Sequence, residues 1–62
     1  MKLYIYDEET REVVAVIDGD SNEACEGAAN ERFGDEYLST YSPAFGTVDG
    51  LIETEDTERI EV

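Results

Sequence analysis

The sequence predicts a small α+β domain in which one helix packs on one face of an antiparallel sheet of four to five strands. Three observations predict this class. Two apolar segments joined by a short polar turn open the chain, and one segment with helical spacing follows them. Shorter apolar segments, interrupted by glycine and proline, complete it. The predicted element order is ββαβββ, or ββαββ if the C-terminal tail frays.

The N-terminal residues predict a β-hairpin. Residues 2–6 alternate with period two, so that Tyr4 and Tyr6 share the face opposite the apolar one. Residues 11–17 are apolar on both faces, which is typical of a central strand covered from two sides. Because the polar turn between these segments is short, the two strands are expected to pair in antiparallel fashion.

The following segment predicts a helix over residues 21–33. Asp20 is the expected N-cap, with Glu23 completing a capping box, and Gly34 is the expected C-terminal αL residue. The apolar stripe of this helix consists mostly of small residues, which allows the helix to lie close to the sheet. Cys25 belongs to this stripe and is therefore expected to behave as a small buried apolar residue.

The second half of the chain predicts shorter elements. They are a third strand at 36–41, a loop at 42–46 that contains the proline, a fourth strand at 47–53 with a bulge or tight turn at Gly50, an acidic turn at 55–58 and a short final strand at 59–62.

Net charge is the strongest signal in the composition. Seventeen Asp and Glu residues stand against four Lys and Arg residues, which gives a formal net charge of −13 over 62 residues. Such a surface repels nucleic acids and anionic membranes and attracts basic proteins and cations. The chain is long enough for one domain only. A domain of about 60 residues buries only about 60% of its unfolded surface, so self-association is one route to further stability.

The residue inventory argues against catalysis and against a bound metal or cofactor. The chain has no histidine, and Cys25 is its only cysteine, so neither a Cys/His zinc site nor a histidine-activated nucleophile can be built. Residues 18–22 resemble the start of a calcium-binding EF-hand loop, but Glu23 and Ala29 occupy the positions that require glycine and a bidentate glutamate. We therefore expect a non-enzymatic protein without a cofactor.

The compartment is expected to be the cytosol. The N-terminal residues turn acidic too early for a signal peptide, and no apolar run approaches the about 20 residues of a membrane span. A single thiol is typical of a reducing environment.

Carboxylates concentrate in two segments that are candidate partner-binding surfaces. The first, which we call the helix array, comprises Glu23, Glu26, Glu31, Asp35 and Glu36. The second, the C-terminal array, comprises Glu53, Glu55, Asp56 and Glu58. On a strand, residues on the same face repeat about every 6.6 Å, a spacing similar to that of neighbouring phosphates along a nucleic-acid strand. A carboxylate array of this kind can therefore bind the Lys and Arg groups that bind DNA.

Tyr4 and Tyr6 are further candidate partner-binding residues. If the helix does not cover their face of the sheet, they form an aromatic patch bordered by acidic residues, and tyrosines are frequent interface anchors. They can equally pack a second small core or form the contact between two copies of the chain.

A short acidic chain with a mixed α/β pattern and no catalytic residues resembles the small inhibitors that bacterial viruses make against host defences, in particular the anti-CRISPR proteins that mimic DNA. The resemblance is carried by the length, the net charge of −13, the hairpin over residues 3–17 and the capped helix over residues 21–33. It implies a bacterial host cytosol, a basic nucleic-acid-binding complex as partner and inhibition by occupation of its DNA-binding groove. It assigns no role to any single residue.

Two other interpretations stay open. In one, the chain is a homodimer or a small subunit joined through its tyrosine-rich face. In the other, the acidity is an adaptation to high salt and serves solubility alone.

Overall fold

The computed structural model describes residues 1–46 and 49–62. Within them the elements are, in chain order, β1 (Lys2–Tyr6), β2 (Glu12–Asp18), α1 (Asn22–Phe33), a 3₁₀ turn (Tyr37–Ser39), β3 (Ser42–Phe45) and β4 (Ile52–Glu61). The strands form one sheet in the order β3-β1-β2-β4, and α1 packs on β1 and β2. The predicted α+β class is confirmed, and the described elements have the order ββαββ.

One strand pair differs from the expected antiparallel sheet. β1 pairs with β2 and with β3 in antiparallel fashion, but β2 and β4 are parallel. A parallel pair requires a long crossover connection. Here α1, the 3₁₀ turn and β3 lie between β2 and β4 in the chain, so the connection is long enough to bring β4 back along β2.

The predicted N-terminal hairpin is confirmed. In its turn, the Asp7 carboxylate accepts hydrogen bonds from the backbone N–H groups of Glu9 (2.9 Å) and Thr10 (3.3 Å). Arg11 follows with a positive φ of 67°, which is uncommon for a residue with a side chain. The register between β1 and β2 then shifts after Ile5, so β2 contains a bulge.

Helix α1 begins one residue later than predicted. Ser21, not Asp20, is the N-cap, because its side-chain oxygen accepts the backbone N–H of Ala24 at 3.1 Å. The expected capping box is therefore wrong, since position Ala24 carries no carboxylate that could reach back to the cap. The helix ends at Phe33, as predicted, and Gly34 follows with a φ of 90° that favours glycine. Its ψ of 165° lies outside the αL region, so the predicted αL conformation is wrong.

The core lies between α1 and the sheet. Its buried members are Leu3, Ile5, Ala15, Ile17, Cys25, Ala29 and Tyr37. Cys25 is fully buried, as predicted, and its Sγ lies 3.7 Å from the carbonyl oxygens of Met1 and Ile17. Because alanine and cysteine form the buried face of α1, the helix lies close to the strands beneath it.

Two predictions for the middle of the chain are wrong. The expected strand at 36–41 is instead a 3₁₀ turn, in which the backbone N–H groups of Ser39 and Thr40 donate to the carbonyls of Glu36 (2.9 Å) and Tyr37 (3.1 Å). The expected loop at 42–46 contains strand β3, with Pro43 paired opposite Ile5. β3 is an edge strand, and an edge strand tolerates proline because one side of its backbone has no strand partner.

The C-terminal prediction of a strand, a turn and a second strand is also corrected. Ile52–Glu61 is one strand, and it runs through the expected turn at 55–58. Its register with β2 shifts between Val13 and Ala15, where the four residues 54–57 lie opposite the single residue Val14, so they form a large bulge within the strand. The turn at Gly50 is confirmed, with a φ of 88°. Residues 47 and 48 of the predicted fourth strand lie outside the described residues.

Candidate partner-binding surfaces

The helix array lies along the outer face of α1 and the turn that follows it. Glu23, Glu26 and Glu31 project from the helix, and Asp35 and Glu36 lie between its C-terminal end and the 3₁₀ turn; all five side chains are exposed. Residues three or four apart on a helix have Cβ atoms about 5–6 Å apart, so Glu23 and Glu26 are neighbours. The structure thus places the predicted helix array on exposed positions of α1 and of the segment that follows it.

No carboxylate of the helix array pairs with a cation among the described residues. The ion pairs among the described residues join Arg32 to Glu58, Arg59 to Glu53, and the N-terminal amine to Asp18. Two of the three arginines are therefore held by the C-terminal array. The helix array keeps its full negative charge available to a partner.

The C-terminal array lies on the edge strand β4 and is partly neutralised. Glu58 accepts two hydrogen bonds from Arg32, from Nε at 2.6 Å and from Nη2 at 2.8 Å. Glu53 accepts one from Arg59 at 2.6 Å. Because residues 54–57 form a bulge, the carboxylates of this array do not follow the regular spacing of a strand. Glu55 and Asp56 are exposed within the bulge.

Tyr4 and Tyr6 are half-buried and lie on the face of the sheet opposite α1, as the alternation predicts. They pair with Val16 and Val13, which are only 4% and 2% exposed although they lie outside the helix-side core. Val13 and Val16 are therefore covered by neighbouring side chains on this face of the sheet. This favours a second small core over an open aromatic patch.

The other two tyrosines belong to the helix side. Tyr37 and Tyr41 pack with the core cluster, and the Tyr41 ring meets Phe33 edge-to-face at 6.0 Å. Burial raises the pKa of Tyr37, and the nearby charge of Glu26 raises it further. The predicted tyrosine-rich face thus consists of Tyr4 and Tyr6 alone.

A groove between α1 and β4 is the main surface feature that the sequence did not predict. We call it the α1–β4 groove. It has a volume of about 480 Å³ and is lined by Ala28, Glu31, Arg32, Glu58, Ile60, Glu61 and Val62. Its floor depends on the parallel pairing of β4 with β2, a long-range feature that no local pattern reveals. It joins the helix array, through Glu31, to the C-terminal array, through Glu58.

Comparison with known proteins adds no functional assignment. No family model, no curated protein and no solved structure matches the chain. Within residues 1–46 and 49–62, no three Cys, Asp or Glu side chains are grouped closely enough to hold a metal ion. The described part of the chain contains no helix long and apolar enough to span a membrane.

Proposed function

We propose that the protein is a non-enzymatic inhibitor that acts in a bacterial host cytosol by mimicking DNA. It binds the basic nucleic-acid-binding surface of a defence complex through the helix array and so excludes DNA. The observation that supports this proposal is the state of the helix array: its five carboxylates are exposed and, among the described residues, have no cation partner.

Electrostatics explains why this array suits a basic partner. A net charge of −13 attracts cationic surfaces over long range and repels nucleic acid itself. Glu23 and Glu26 are three residues apart on α1, so their Cβ atoms lie about 5–6 Å apart, comparable to the spacing of residues on one face of a strand. Lys and Arg side chains that bind two successive phosphates can therefore bind this pair of glutamates, and binding weakens as salt rises.

Gly27 on the same helix face supports the proposal independently of charge. It is exposed, and a Cβ built at this position would meet no atom of residues 1–46 and 49–62 within 4 Å. Glycine in a helix interior costs about 1 kcal/mol relative to alanine, and no packing against these residues accounts for it here. A bare backbone between Glu23, Glu26 and Glu31 lets a partner approach the helix closely.

The proposal is tested by capture from nuclease-treated bacterial lysate with two matched variants. Glu23→Lys combined with Glu26→Lys reverses two charges of the helix array. Glu8→Lys combined with Glu9→Lys reverses two exposed charges in the hairpin turn and changes the net charge equally. Far-UV circular dichroism verifies that both variants fold.

We expect the wild-type chain and the turn variant to capture the same nucleic-acid-binding complex and to release it in salt. The helix variant is expected to bind about tenfold more weakly or worse. Equal loss in both variants would show that net charge alone governs binding. Capture that persists in the helix variant would refute the role of the array.

A further inference from the structure

The α1–β4 groove combines an apolar floor with an acidic rim. The groove exists because α1 packs on β1 and β2, whereas β4 lies beyond them at the outer edge of the sheet. Ile60, which pairs with Ile17, is consequently half-buried, and Val62 stays 60% exposed. Ala28 forms the helix side of the same apolar surface.

The charges around the groove are unbalanced. Of its four charged lining residues, Arg32 is bound to Glu58 by two hydrogen bonds and also lies over the Phe33 ring, 5.1 Å from its centroid. Glu31 has no cation within ion-pair distance among the described residues. Glu61 follows Ile60 in β4, so its side chain lies on the opposite face of the sheet from the floor. The groove thus offers one unpaired carboxylate, Glu31, beside an apolar floor.

We propose that this groove binds a short segment of a partner protein that carries a lysine or arginine next to an apolar residue. A long basic side chain lays its aliphatic stem on apolar surface and keeps its charged head with polar groups, which matches the floor and the rim. A volume of about 480 Å³ accommodates a few side chains. The inference rests on the proposed function, because it specifies the chemistry of the basic partner at one place.

A second copy of the chain is a poor occupant for the same groove. Each copy carries a net charge of −13, so bringing two copies together adds strong repulsion. Two of the four cationic side chains, Arg32 and Arg59, are already held in ion pairs within the copy itself. Charge complementarity therefore favours a basic segment over self-association.

The test is NMR titration of the ¹⁵N-labelled chain with a short peptide of alternating arginine and leucine. Two control peptides alternate arginine with glycine, which removes the apolar contacts, and leucine with serine, which removes the charge. We expect the arginine–leucine peptide to bind most tightly and to shift the amide signals of Ala28, Ile60 and Val62. Equal binding of the arginine–glycine peptide, or shifts confined to the outer face of α1, would overturn the inference.

Variants of the chain separate the groove from the helix array. Glu31→Gln removes the free rim charge and is expected to weaken binding of the arginine–leucine peptide by up to about fivefold. Glu23→Gln removes the same charge outside the groove and is expected to have a smaller effect. Val62→Ser alters the end of the floor that is 60% exposed, so little burial is lost, and it is also expected to weaken binding.

The two proposals fail differently. If the groove variants bind the peptide as the wild type does, the groove inference is wrong, whatever the lysate capture shows. If the peptide binds in the groove but the Glu23→Lys and Glu26→Lys variant still captures the complex, the role of the helix array is wrong while the groove inference stands.

Discussion

Arg32 and Glu58 form an ion pair with two hydrogen bonds that links α1 to β4. The guanidinium donates two hydrogen bonds to one carboxylate, which is a geometry that only arginine offers. The hydrogen bonds from Arg32, with its positive charge, hold the pKa of Glu58 below its usual value. The pair is exposed, so it positions the two elements at the rim of the groove more than it stabilises the fold.

We predict that Arg32→Gln raises the pKa of Glu58 toward its ordinary value, as measured by carboxyl ¹³C NMR during a pH titration. A carboxyl with a lowered pKa in the folded state stabilises that state above its unfolded pKa. This contribution is lost as the pH falls through the folded value. Arg59→Gln serves as the control, because it leaves the Arg32–Glu58 pair intact. A Glu58 titration unchanged by Arg32→Gln would show that the pair does not form in solution.

At the scale of elements, local patterns predicted the first half of the fold and failed in the second. The hairpin and α1 have strict periodicity and short connections, so their neighbours in sequence are also neighbours in space. The strand prediction for segment 36–41 is wrong because the positions of Tyr37 and Tyr41 fit the alternation of a strand as well as the i, i+4 spacing of a helical turn. β4 could not be placed, since its partner β2 is distant in sequence and parallel to it.

The same limit applies to the candidate site. The sequence predicts that Glu23, Glu26 and Glu31 lie on exposed positions of α1, and they do, because helical spacing determines which side of α1 faces solvent. It could not show that Glu53 and Glu58 are paired with arginines, nor that Glu61 lines a groove, since these contacts depend on where β4 packs.

The start of α1 yields a direct test of the corrected cap. Ser21→Ala removes the oxygen that accepts the N–H of Ala24 and is expected to lower the free energy of unfolding by about 1 kcal/mol. Asp20→Ala is expected to lower the free energy of unfolding by a smaller amount, because the Asp20 side chain does not cap the helix. Urea denaturation followed by circular dichroism measures both. A larger loss for Asp20→Ala would restore Asp20 as the N-cap.

The bulge in β4 depends on the Thr57 hydroxyl. Its Oγ1 donates to the carbonyl of Val13 at 2.6 Å and accepts the backbone N–H of Thr54 at 2.9 Å. Thr57→Val keeps the shape and removes both bonds, so we predict a loss of about 1–3 kcal/mol in the free energy of unfolding. Thr57→Ser retains the hydroxyl and should lower the free energy of unfolding clearly less. Equal loss in the two variants, measured by thermal unfolding, would assign the effect to packing instead.

At the scale of the whole molecule, repulsion among carboxylates is the dominant electrostatic term. The described part of the chain has a radius of gyration of 10.5 Å, while the full sequence carries a net charge of −13. The Debye length falls from about 30 Å at 0.01 M salt to about 3 Å at 1 M. At low salt, therefore, charges repel one another across much of the molecule.

We predict that thermal stability rises with sodium chloride concentration, because screening weakens net repulsion more than it weakens the few exposed ion pairs. A gain of 1 kcal/mol corresponds to a Tm increase of roughly 4–8 °C for a domain of this size. The Glu8→Lys and Glu9→Lys variant should show a smaller response, since it carries less net charge. A Tm that falls with salt would mean that the ion pairs outweigh the repulsion.

The same salt series tests whether the acidity is instead an adaptation to high salt. A chain that is unfolded in dilute buffer and folds only in molar potassium chloride would favour adaptation to high salt. A chain that is already folded in dilute buffer, and that gains stability gradually, leaves its surface charge free to serve binding.

Competition with DNA is the measurement that tests the central claim most directly. The captured complex is incubated with fluorescently labelled duplex DNA, and fluorescence anisotropy follows DNA release as the wild-type chain, the helix-array variant or the hairpin-turn variant is added. We predict that the wild type and the turn variant displace the DNA, whereas the Glu23→Lys and Glu26→Lys variant does not. Simultaneous binding of DNA and the wild-type chain to one complex would contradict DNA mimicry.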